Sequence, residues 1–168
     1  MATKEEQQAF IASAGGAAQK SETETGVPAS VTIAQAILES GWGEHHMGDA
    51  NNYFGIKAQE KGGQIVFGDV ATGFVDRVTK EFDKNGNGFT IVAHFRSYQD
   101  MAGSFIDHGI FLKSNARYRA ALTAYAASKD ANEFARGLQK AGYATDPHYA
   151  DMLISLMTKH GLYAFNAK

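Results

Sequence analysis

The order of patterns along the chain predicts an α+β protein, a mainly helical body with a small antiparallel β lobe inserted between its helical parts. Three observations carry this. Near both ends of the chain, apolar residues recur at three- and four-residue spacing. Over about residues 64–96 the period changes to two. Inside that stretch, Asp83-Lys84-Asn85-Gly86-Asn87-Gly88 is a hairpin-turn signal joining two alternating runs. The chain has 168 residues, 44% hydrophobic and 20% charged, so a single domain over 1–168 has material for a sizeable core.

Each element follows from local pattern. Lys4 to about Glu24 reads as a helix, with Phe10, Ile11, Ala14, Ala17 and Ala18 on its core side. Gly15-Gly16 either weakens that helix or marks close packing. Gly26-Val27 breaks it, and Pro28 is placed for the first turn of a second helix. That helix runs to about Glu39 and is apolar on more than one side, as a central helix is. Gly41 and Gly43 end it. Ile65-Val66-Phe67 is a short strand, and Phe74–Phe82 and Phe89–Phe95 are the two arms of a hairpin. Alternation sets Val78, Lys80 and Phe82 opposite Arg77, Thr79 and Glu81, with Phe82 expected to pack. Phe89, Ile91, Ala93 and Phe95 share one face of the second arm. Helices follow at about Met101–Leu112, Arg117–Ala126 and Asn132–Lys140, the last capped by Ser128 or Asp130. Asp146-Pro147 reads as the cap and first residue of a final helix carrying Met152, Leu153, Leu156 and Met157 and ending near His160-Gly161.

Composition narrows the function classes. A net charge of −2 gives no electrostatic case for nucleic acid or an anionic membrane surface. Without cysteine there is neither a disulfide nor a thiolate site. No apolar run approaches the ~18 residues of a membrane span, and the polar start Met1-Ala2-Thr3-Lys4-Glu5-Glu6 has no signal-peptide core. The expectation is a monomer that enters no membrane. The six histidines lack metal-ligand spacing. Asp83–Gly88 matches the first half of a calcium loop, but its twelfth position is His94 and a hairpin turn explains the same residues.

One residue stands out chemically. Glu39 ends a strongly apolar helical run and is followed by Ser40-Gly41-Trp42-Gly43, which holds the only Trp. A carboxyl group beside apolar side chains is paired, or has a raised pKa and serves as an acid, or escapes into water at the helix end. Pattern alone leaves these open.

The residues around it do not stand alone. Ala34-Gln35-Ala36-Ile37-Leu38-Glu39-Ser40-Gly41-Trp42-Gly43 resembles the catalytic helix end of glycoside hydrolase family 73, the flagellar-type peptidoglycan glucosaminidases. Asn52-Tyr53-Phe54-Gly55-Ile56-Lys57-Ala58, Thr79-Lys80-Glu81-Phe82, His94-Phe95-Arg96-Ser97-Tyr98 and Ala141–Ala150 resemble that family's later blocks, in order. The resemblance implies a lysozyme-like fold, with a helical lobe and a β-hairpin lobe flanking a substrate groove. It implies cleavage of the β-1,4 bond between N-acetylglucosamine and N-acetylmuramic acid, with peptidoglycan glycan strands as partner and no cofactor or metal. It makes Glu39 the general acid and Glu81 the base or transition-state stabiliser, with Tyr143 beside them touching sugar or orienting water. From pattern alone Glu81 reads first as a solvent-facing strand residue paired with Lys80, Arg77 or a cross-strand group. Trp42, Asn52, Tyr53, Lys57 and Tyr149 are the candidate substrate contacts. Tyr53 is favoured over Phe54, whose ring lacks a polar tip, and Tyr149 is core or groove wall. Asn52 and Lys57 either bind substrate or fix their turn. The same fold also serves muramidases and lytic transglycosylases, and a glycan-binding module without catalysis is a further reading that Glu39 together with Glu81 argues against. Action in the periplasm or cell wall, after holin-dependent, flagellar or effector-type delivery, is the expected setting.

Overall fold

A computed structural model describes all residues, Met1–Lys168. The expected α+β architecture is what the chain adopts. Helix α1 (Lys4–Thr25) opens on a reciprocal cap: Glu6 N–H donates to Thr3 Oγ1 at 3.2 Å, and Thr3 N–H donates to Glu6 Oε2 at 2.7 Å. Gly15 lies under the Phe165 ring, where a Cβ would sit 2.3 Å from a ring carbon, so this glycine marks close packing. Helix α2 (Ala29–Ser40) is the hub, packed against α1 and, further along the chain, against α3 (Met101–Ser114), α5 (Ala131–Lys140) and α6 (Tyr149–Lys159). Its residues Ala29 through Ile37 are all buried. A helix without a polar face is stable only when enclosed in this way.

A 3₁₀ turn at Ala116–Tyr118 precedes α4 (Arg119–Ser128), so that helix starts two residues later than its periodicity suggested. Asp130 caps α5 through the backbone N–H groups of Asn132 and Glu133. α6 also begins later than expected. Asp146 does not cap it directly but closes a turn, accepting from His148 N–H at 2.8 Å, and helical geometry starts at Tyr149.

The β lobe is two separate two-stranded sheets. β1 (Gln59–Lys61) pairs antiparallel with β2 (Gln64–Val66), and β3 (Gly73–Phe82) with β4 (Gly88–Ser97). β1 was not anticipated. Its turn, Gly62-Gly63, has both residues at positive φ (58° and 78°), the requirement of a two-residue hairpin of the right twist. In the long hairpin Glu81 pairs with Phe89, Thr79 with Ile91 and Val75 with Phe95, so these side chains share one face. Phe82 lies on the other face and is 65% exposed, which corrects the expectation that it packs. No part of the body reaches that face of the hairpin tip. The hairpin base is held instead: Ala93, Phe95 and Tyr98 are buried, and Ala58 N–H donates to His94 O at 2.9 Å.

Candidate active site

The end of α2 is closed by a left-handed Gly41 (φ 57°), with Trp42 N–H returning to Ile37 O at 3.2 Å. Ser40 tightens the exit, its hydroxyl donating to Ala36 O at 2.6 Å and accepting from Gly43 N–H at 2.9 Å. Trp42 itself sits at φ 61°, a strained conformation for a bulky side chain. These constraints fix the direction of Glu39, one turn along from the fully buried Gln35.

Glu39 lines a groove hollow of about 480 Å³ together with Phe54, Lys57, Arg96, Tyr118 and Tyr143. Glu39 is itself exposed, open to solvent through the groove. Desolvation by the surrounding walls raises its pKa above the ordinary 4.5. Tyr143 stacks on Tyr149 at 5.5 Å. Burial, followed by the neighbouring Tyr149 and the charge of Glu39, raises the Tyr143 hydroxyl's pKa, so it stays a neutral hydrogen-bond donor at any physiological pH. Beneath the groove Gln35 Nε2 donates to Tyr149 Oη at 2.9 Å, and His108 Nε2–H donates to Gln35 Oε1 at 2.8 Å. His108 is buried, stacks on Phe54 at 4.0 Å, and is pushed down to about 3, so it is neutral.

The expected site residues divide. Glu39, Tyr143 and Lys57 share the hollow. Glu81 does not line it, but its Oε1 lies 3.9 Å from the Nζ of the lining residue Lys57, with the Glu81 side chain 41% exposed. The other four are absent from the hollow's lining. The Trp42 ring is turned by its left-handed backbone onto Phe10 (6.2 Å) and His160 (4.9 Å). Asn52 is buried, donating to Ile56 O and Arg96 O and accepting from Phe54 and Ile56 N–H, so its amide holds the turn. Tyr53 is buried among Phe10, His46 and Phe105. Phe54 is core, as its lack of a polar tip suggests: it is 5% exposed and packed on Phe105 and His108, and it borders the hollow from beneath. Tyr149 is the layer behind Tyr143.

Sequence reasoning missed Gln59, Phe111, Asn115, Arg117 and Tyr118, all of which line the hollow. They come from β1, the end of α3 and the 3₁₀ turn. Only the break at Ser114-Asn115 signalled them, and a break carries no chemistry.

Comparison with known proteins places this geometry among relatives. The family model described as mannosyl-glycoprotein endo-beta-N-acetylglucosaminidase, Glucosaminidase, matches residues 15–162. The peptidoglycan hydrolase FlgJ of Vibrio parahaemolyticus is 38% identical over 156 residues, 90% of this chain and 47% of that protein. The exo-glucosaminidase LytG of Bacillus subtilis is 37% identical over 160 residues, 94% of this chain and 53% of that protein. The chain thus spans about half the length of these curated relatives. The crystal structure of the catalytic domain of the autolysin Auto from Listeria monocytogenes superposes with a TM-score of 0.80 at 28% identity, covering 99% of this chain and 90% of that one.

Proposed function

Because the chain belongs to the glucosaminidase family, we propose that it hydrolyses peptidoglycan at the β-1,4 bond between N-acetylglucosamine and N-acetylmuramic acid. The observation that carries this reading is Glu39, a carboxyl group with a burial-raised pKa on the wall of an open groove, one side chain away from Tyr143. A glycosidase acid must hold its proton until the leaving oxygen needs it, and apolar surroundings provide that. In this mechanism protonated Glu39 donates to the glycosidic oxygen. Glu81, its charge balanced by Lys57, stabilises the oxocarbenium-like sugar or activates water from the opposite wall. Tyr143 donates from its neutral hydroxyl to the sugar or the water. The residues given these roles all come from one chain, which fits action as a monomer, and the substrate would put the work at the cell wall.

The test is digestion of purified sacculi in heavy-oxygen water, with mass spectrometry of the products. The expected outcome is one ¹⁸O at a new N-acetylglucosamine reducing end. A labelled N-acetylmuramic end would mean a muramidase, and an unlabelled anhydro-muramic end a lytic transglycosylase. Product length separates internal from end-wise cutting, the mode named for the Bacillus relative.

A further inference from the structure

We propose that the stretch of groove running from the Glu39 hollow into its neighbour, walled by Arg117, Arg96, Asn115 and Lys61, is a subsite for a carboxylate carried on the glycan strand. The inference rests on the peptidoglycan reading above and names what the rest of the groove recognises. A second hollow of about 500 Å³ shares Gln59, Arg96, Phe111 and Asn115 with the first, so the two are continuous. Together they present four cations, Lys57, Lys61, Arg96 and Arg117, against two carboxylates, Glu39 and Asp107. This local excess sits on a protein of net charge −2, so it is not a by-product of overall composition.

The two carboxylates do not cancel it. Asp107 is buried and committed to the inside, accepting from Arg96 Nη1 at 2.9 Å and from the Tyr98 hydroxyl at 2.5 Å. Glu39 forms no ion pair with any of these cations. Arg96 is held rigidly: Nε donates to Lys57 O at 3.2 Å, its side chain is 18% exposed, and Nη2 makes no hydrogen bond within the protein. Lys57 faces Glu81, whereas Arg117 and Lys61 form no ion pair. A planar guanidinium fixed by a buried counter-ion, with a second one unpaired in the same hollow, suits a carboxylate. Muramic acid carries one in either of two forms. An intact stem peptide brings its own carboxylates, and a strand stripped of stems bears the lactyl carboxylate.

The test measures Kd for soluble glycan strands in three forms: stem-bearing, stem-stripped, and stem-bearing with every carboxylate capped as a methylamide. Glu39→Gln protein is used so that strands survive the titration, and cleavage by the unaltered protein is assayed in parallel. Capping should weaken binding about tenfold, the effect fading at high salt. Arg117→Gln combined with Lys61→Gln should weaken binding of the uncapped strands similarly and leave the capped strands within about twofold. A loss confined to stem-bearing strands assigns the site to the stem, and a loss on stripped strands as well assigns it to the lactyl group. If capping changes nothing while the unaltered protein cuts the strands, the subsite is overturned and the hydrolase reading stands. Charge-dependent binding without any cutting would do the reverse, and strands that are neither bound nor cut would overturn both.

Discussion

The end of α2 and the tip of the β3–β4 hairpin carry the two proposed catalytic carboxylates, and they are held in opposite ways. Glu39 leaves a helix buried from Ala29 to Ile37 and closed by a glycine, a serine and a strained Trp42. Glu81 sits one pair from the hairpin turn, on a lobe that exposes Val78 (71%), Phe82 (65%) and Val92 (59%). Both regions carry large apolar side chains, although the hairpin tip intersperses them with Arg77, Lys80, Glu81, Asp83 and Lys84. What differs is whether a second layer covers them. An apolar side chain stabilises in proportion to the area it loses to water, and at the hairpin tip that area is small. A two-stranded hairpin is marginal without a packed face, so the tip depends on its buried base. The proposed acid is therefore positioned by the core, and its proposed partner by the ladder.

That contrast can be broken in several places. The largest effect belongs to Glu39→Gln, which should fold with unchanged thermal stability and lose about 10²–10⁴-fold in wall-digestion rate. Near wild-type digestion would remove Glu39 from the mechanism. In the unaltered protein the reactive form is protonated, so the rate should fall as pH rises through the raised Glu39 pKa, above the ordinary 4.5. The same shift makes the ionised group slightly unfavourable to folding. Stability from this site is full below 4.5 and declines as pH climbs through the folded value, a decline that Glu39→Gln should lack.

Next comes the body itself. Leu153→Ala, at a fully buried position in α6, should cost about 2–5 kcal/mol in denaturant unfolding. A value near zero would mean that the body is as loosely covered as the hairpin tip. His108 gives the body a pH signature. It is neutral in the fold, with a pKa of about 3 against an ordinary 6.5. The unfolded chain takes up that proton first, so stability should fall as pH drops from 6.5 toward 3, with a limiting slope of ~1.4 kcal/mol per pH unit. His108→Gln should flatten this slope in unfolding curves recorded across the window. An unchanged slope would place the acid sensitivity elsewhere.

On the hairpin, Glu81→Gln should lower the digestion rate roughly 10- to 100-fold without moving the melting temperature. A silent substitution would return Glu81 to a surface pair with Lys57. The smallest effect is Phe82→Ala, expected to change stability by less than about 0.5 kcal/mol. A cost comparable to that of Leu153→Ala would show a covering layer over the hairpin and end the comparison.

Helices and the long hairpin were legible because each rests on a local rule, namely period or turn residues, while the role given to Glu39 came from the family resemblance and not from its pattern. What failed was direction. Nothing local says that Trp42 takes a left-handed backbone and turns toward Phe10, or that every polar atom of the Asn52 amide is claimed by backbone groups. Phe82 looked like a packing residue because its type is apolar, and only the absence of an opposing layer corrects that. Arg117 and Asn115 reach the groove because α3 ends beside it, a fact of tertiary arrangement with no trace in their own spacing.

The Arg96–Asp107 pair has a consequence for anyone wishing to redesign this molecule. Half of it is a groove wall and half is interior, with Tyr98 as the third member. Asp107→Asn would alter no atom of the hollow around Glu39, yet it would hand that hollow an uncompensated guanidinium. Substrate preference could thus be retuned from behind the wall, and a library confined to the hollow around Glu39 would never sample the change.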